Sequence, residues 1–127
     1  MNIPAGVIGA AWEAQQKLSR GGFRFCFIGG LALQRWGEPR YTQDVDLTIL
    51  CPFGEERAVG RTLAELFQPR FDGAVEFAVP SRVFLAQATD GTPLDIAFGA
   101  IDFELHCVAR ASAFDFGGGI SLLTCCA

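Results

Sequence analysis

Two apolar segments, "VDLTIL" (45–50) and "PLDIAFG" (93–99), each hold an aspartate where a strand buried on both faces would carry none. In the second, Leu94, Ile96 and Phe98 take one face, while Asp95 and Ala97 take the other. An acid flanked by apolar strand residues is costly unless charge or hydrogen bonds compensate it. The first segment adds to the problem, because Asp44 stands two residues before Asp46. If 44–50 is one strand, both acids point to the same face with Cα atoms roughly 6.5–7 Å apart. Like charges at that distance repel, so the chain is expected to fold around something that compensates them.

The surrounding segments read as an α/β order. "AAWEAQQKLSR" (10–20) consists of good helix formers and is stopped by Gly21-Gly22. "FRFCFI" (23–28) alternates Phe23, Phe25 and Phe27 with Arg24, Cys26 and Ile28, a strand signal. Gly29-Gly30 breaks that strand, and "LALQRWG" (31–37) reads as a short helix ahead of the strand at 44–50. "GEERAVGRTLAELFQ" (54–68) is an amphipathic helix burying Val59, Leu63, Leu66 and Phe67. "RVFLAQA" (82–88) and 93–99 are strands joined by "TDGT", a hairpin turn signal. "IDFELHCVARA" (101–111) fits strand or helix, and a final strand or a loop-to-strand crossover is the preferred reading. The tail ends in an apolar run, "ISLLTCCA", which needs a surface of this domain or of a partner to pack on.

Composition narrows the class. Among 127 residues half are apolar and 19% charged, which excludes a disordered chain and fits one domain spanning 1–127. No run approaches the ~20 apolar residues of a membrane span. The first residues lack the basic start and unbroken apolar stretch of a signal peptide, so a cytoplasmic protein is the expectation. Five cysteines, with no C-x-x-C spacing, and a single histidine, His106, make no zinc set; the cysteines read as reduced and mostly buried. Net charge is −4, with five basic and two acidic residues in 1–43 against five basic and twelve acidic in 44–127. Charge alone therefore makes no general nucleic-acid binder, although Arg20, Arg24, Arg35 and Arg40 could line a local groove for an anion.

Strand, Gly-Gly, short helix and a strand opening on Asp-x-Asp form a chemically coherent sequence. Glycines let backbone N–H groups approach an anion without a Cβ in the way, and the start of a helix favours phosphate. Two carboxylates on one face are a cradle for Mg²⁺, a hard cation that keeps phosphate oxygens in its shell. Asp95 would complete the acidic set and draw the proton from an attacking hydroxyl. Each residue also has a plainer reading. Gly29-Gly30 can be only a strand-to-helix turn, Asp44 a cap, Asp95 a solvated sheet residue and Arg40 the partner of Glu38.

Taken together, "IGG" (28–30), thirteen residues, "DVDL" (44–47) and later "LDI" (94–96) resemble the DNA polymerase β-type nucleotidyltransferase superfamily. Within it, "GGLALQRWGEPRYTQDVDL" is most similar to minimal nucleotidyltransferases of the AbiEii toxin type, partners in toxin–antitoxin systems. The resemblance covers roughly residues 23–100. It implies a nucleotidyltransferase fold, a mixed β-sheet with helices packed on it. It also implies Mg²⁺ or Mn²⁺, an NTP, and transfer of a nucleoside monophosphate to a hydroxyl of RNA, protein or a small molecule. By position, Asp44, Asp46 and Asp95 would be catalytic and metal-binding, and Gly29, Gly30, Arg40 and Thr42 would bind nucleotide. An antitoxin or a second copy is the implied protein partner. Family members continue into helices that carry a lysine; here the one lysine is Lys17, so the domain is expected to lack that C-terminal helical part. The alternative is an inactive nucleotide-binding or protein-interaction module that keeps the fold.

Overall fold

A computed structural model describes residues 6–37 and 43–125. Helix α1 (Val7–Arg20) leads into strand β1 (Phe25–Ile28), helix α2 (Gly29–Arg35) and strand β2 (Val45–Leu50). Helix α3 (Glu56–Leu66), strand β3 (Gln68–Pro69), helix α4 (Ala74–Ser81) and strands β4 (Val83–Gln87) and β5 (Pro93–Gly99) follow. The described chain closes with helix α5 (Asp102–Ala109) and strands β6 (Ser112–Asp115) and β7 (Ser121–Thr124). The seven strands form one mixed sheet in the order β3-β4-β5-β2-β1-β7-β6. The β2–β5 and β1–β7 pairs are parallel, and the other pairs are antiparallel. The expected mixed α/β class holds at that level. No helix of the described residues is long and apolar enough to cross a membrane.

Strand alternation decides where the core lies. Phe25 and Phe27 of β1, Val45, Leu47 and Ile49 of β2, and Leu94, Ile96 and Phe98 of β5 share the face that packs on α1, α3 and α4. Ala10, Ala11, Ala14 and Leu18 form the buried stripe of α1, and small residues there let the helix lie close to the sheet. In α3, Leu63 is fully buried, Phe67 follows it into the core, and Val59 and Leu66 are partly buried, as the helical spacing predicts. The β4–β5 turn is built as its sequence demands. Ala88 accepts from Gly91 N–H, Gly91 takes φ +90°, and Asp90 accepts from Thr92 N–H at 2.9 Å.

Three segments differ from the reading of the sequence, and the tail takes the first of its two expected places. Residues 102–109 are helix α5 and not a strand. Ile101, Phe103 and Val108 gave the segment a strand-like composition, but Glu104 Oε1 accepts the N–H groups of Ala100 and Ile101 at 2.9 and 3.1 Å and caps the first turn. Helix α2 begins at Gly29, so Gly29-Gly30 open the helix and do not precede it. Helix α4 had no counterpart in the sequence reading; Pro80, in its last turn, has no N–H to give the Glu76 carbonyl, and the helix ends at the next residue, Ser81. The tail packs on this sheet, with Ile120 and Leu122 fully buried and β7 lying beside β1.

Candidate active site

The face of β2 and β5 opposite the core carries the acids. The parallel register sets Asp46 directly abreast of Asp95, on strands whose normal spacing is about 4.8 Å. The sequence pointed to Asp44 and Asp46 as the closest pair, but the sheet makes Asp46 and Asp95 the neighbours. Asp44 is exposed and precedes the strand, and its charge still reaches Asp46. Partial burial, then the Asp95 charge, then the Asp44 charge hold the Asp46 carboxyl above its ordinary value of 3.8. A hydrogen bond between the Asp46 and Asp95 side chains acts in the same direction.

Gly29 sits against this pair. It has φ +65°, and a Cβ there would lie 2.6 Å from Asp46 Oδ2. Glycine is required here because the carboxylate fills the space a side chain would take. The sequence argument had assigned the missing Cβ to an anion, and the structure gives that volume to Asp46. Gly30 lies one residue further into α2 and is partly buried. Arg40 and Thr42, expected to touch nucleotide, lie outside the described residues.

Arg70 was not singled out from the sequence. Its Nη2 donates to Asp95 Oδ1 at 2.7 Å and to the Leu94 carbonyl at 3.0 Å. Its Nε and Nη2 both donate to the Ala86 carbonyl, at 3.1 and 2.9 Å. Two backbone carbonyls thus fix the guanidinium, which in turn fixes one oxygen of Asp95. The only local hint was an arginine directly after Pro69, with no period or motif around it. A cavity of about 390 Å³ lined by Arg61, Gln68, Arg70, Asp72, Gly73 and Glu76 meets the acid pair only through Arg70.

The donor set suits a hard divalent cation in kind, since Asp46 and the Asp95 oxygen that Arg70 does not hold are oxygen ligands whose mutual repulsion a cation would relieve. Among the described residues, no set of three His, Cys, Asp or Glu side chains is drawn together tightly enough to hold a metal unaided. The acids therefore offer a two-carboxylate seat that substrate oxygens would have to complete. Arg35, one of the basic residues considered for an anion groove, is committed elsewhere. It donates to the Ser112 carbonyl and to Thr124 Oγ1. The sequence matches no known family profile. No curated protein is significantly similar to it.

Proposed function

We propose that the chain is a nucleotidyltransferase-type domain of the DNA polymerase β superfamily, similar to AbiEii-type toxins. It would transfer a nucleoside monophosphate from an NTP to a hydroxyl acceptor. The observation that carries the reading is the Asp46–Asp95 pair set abreast on parallel strands, with Gly29 packed on it. In this reading Asp46 and Asp95, with the Asp44 charge beside them, would hold Mg²⁺ or Mn²⁺ together with the triphosphate, which would lie by Gly29 and Gly30. The metal supplies charge stabilisation to the transferring phosphoryl group. Asp95 takes the acceptor's hydroxyl proton as the new oxygen–phosphorus bond forms and the bond to pyrophosphate breaks. Arg70 fixes one oxygen of Asp95. Arg40 and Thr42 complete the nucleotide contacts, and an antitoxin is the partner that would hold such an activity in check.

One observation favours the alternative, a fold that binds nucleotide or protein without chemistry: Asp95 already has a cation in Arg70. Thermal unfolding with Mg²⁺ or Mn²⁺ and each of the four NTPs separates the two from a bare acidic patch. A ligand at a hundred times its dissociation constant stabilises by about 2.7 kcal/mol, a shift of several degrees. The active reading expects a metal-dependent shift, lost in Asp44→Asn/Asp46→Asn, together with transfer of labelled nucleotide. A shift without transfer supports the inactive module, and no shift in the wild type rejects the nucleotide site.

A further inference from the structure

We infer that the chain forms a two-fold dimer by pairing its β6 strand with β6 of a second copy. The two edges of the sheet are unequal. At one end β3 is two residues long and contains Pro69, a short strand interrupted by proline and hence a poor template for another chain. At the other end β6 is four residues long, exposed throughout, and has no proline or lysine.

The register shows which backbone groups face outward. Ser112, Ala113, Phe114 and Asp115 pair with Thr124, Leu123, Leu122 and Ser121. Phe116 N–H continues that register by donating to the Ile120 carbonyl at 2.9 Å. Hydrogen-bonded pairs alternate in an antiparallel ladder, so Phe114 and Ser112 share the parity of Phe116 and turn their backbone groups inward. Cys125 N–H donates to the Phe27 carbonyl on the other side of β7, which fixes the same parity. Ala113 and Asp115 therefore aim their N–H and C=O groups at the open edge.

Antiparallel pairing centred on Phe114 matches these groups completely. Ala113 exchanges N–H and C=O with Asp115 of the second copy, and Asp115 does the same with Ala113, related by the two-fold axis. Phe114 then faces Phe114 in a non-hydrogen-bonded pair, the closer kind, which suits aromatic contact. Asp115 stands opposite alanine, so no like charges meet. Phe114 and Trp36, both exposed, flank the Arg35 guanidinium, which lies 5.5 and 4.7 Å from their ring centroids. Aromatic and arginine side chains of this kind enrich interface centres, and this cluster adjoins the free edge. An unrelated strand could form the backbone bonds, but only a second copy gains this match of side chains.

Sedimentation of the full chain from low micromolar to millimolar concentration, with amide exchange at Ala113 and Asp115, tests the inference. A dimer with both amides protected is expected, although in the monomer they point to solvent. Ala113→Pro removes an N–H that the β6–β7 ladder does not use, and should weaken association about tenfold with an unchanged circular dichroism spectrum. Phe114→Lys, which places like charges across the axis, should weaken it as well. A monomer at every concentration overturns the inference, whether or not a foreign strand binds the edge. So does a dimer that both folded variants preserve, because it would use another surface.

Discussion

Two arginines perform similar backbone work at opposite ends of the β2–β5 pair, and their surroundings differ in one respect. At the end where the strands finish, Arg82 Nη2 donates to the carbonyls of Cys51 and Phe98 at 2.7 and 3.0 Å, and Nη1 meets Glu56. The guanidinium also lies 4.3 Å from the Phe53 ring centroid. Arg82 holds φ +59°, the only described non-glycine residue with positive φ, and its N–H ends α4 on the Ala78 carbonyl. At the end where the strands begin, Arg70 binds two carbonyls and Asp95, but a second carboxylate, Asp46, stands beside the first. The Arg82 end has one cation for one anion, and hydrogen bonds hold the Glu56 carboxyl below its ordinary value of 4.5. The Arg70 end has one cation for two nearby anions, and Asp46 is pushed the opposite way. A structural lock balances its charges, whereas the acid pair keeps a surplus negative charge facing outward. That surplus is what makes it a candidate site.

The contrast breaks first, and most severely, at Arg82. Arg82→Ala strands two carbonyls at the strand ends and should cost on the order of 3 kcal/mol in urea unfolding. Arg70→Ala should cost about 1 kcal/mol because the Arg70–Asp95 ion pair is closer to water than Arg82–Glu56. Equal losses for the two would remove the distinction between lock and site. Gly29→Ala comes next. Strain at positive φ and the clash with Asp46 Oδ2 should lower stability by about 1–2 kcal/mol, with any metal-dependent nucleotide shift reduced as well.

The smallest effect has the opposite sign. Asp46→Asn should stabilise the protein at neutral pH by less than about 1 kcal/mol, since the group is partly solvated. Because the folded pKa of Asp46 lies above 3.8, its favourable contribution is complete below 3.8 and is lost as pH rises through the raised value. Glu56 runs the other way: its contribution is present above 4.5 and is lost as pH falls through its lowered value. Melting temperature measured down from neutral pH should therefore rise as Asp46 takes its proton and fall as Glu56 does. In Asp46→Asn the rise should vanish and the fall remain; an unchanged rise would assign it to another group.

Local pattern made much of the scaffold legible. The alternation of β4 and β5, the Asp90-Gly91 turn and the apolar stripe of α3 stand where the sequence placed them, because each depends on contacts a few residues apart. Helix α5 was the less favoured of two readings because its composition suits a strand, and the cap that decides it is a single carboxylate, Glu104.

The acids were visible as residue types at defined spacings, so the sequence by itself determined that Asp46 and Asp95 each interrupt an apolar strand and that glycine follows β1. Only the tertiary structure decided that those two acids lie abreast, that the space at Gly29 belongs to Asp46, and that Arg70 holds Asp95. The physical reason is that strand register, and the reach of an arginine across three strands, depend on residues distant in the chain. Periodicity reports which face a side chain takes, and pairing reports what it meets there.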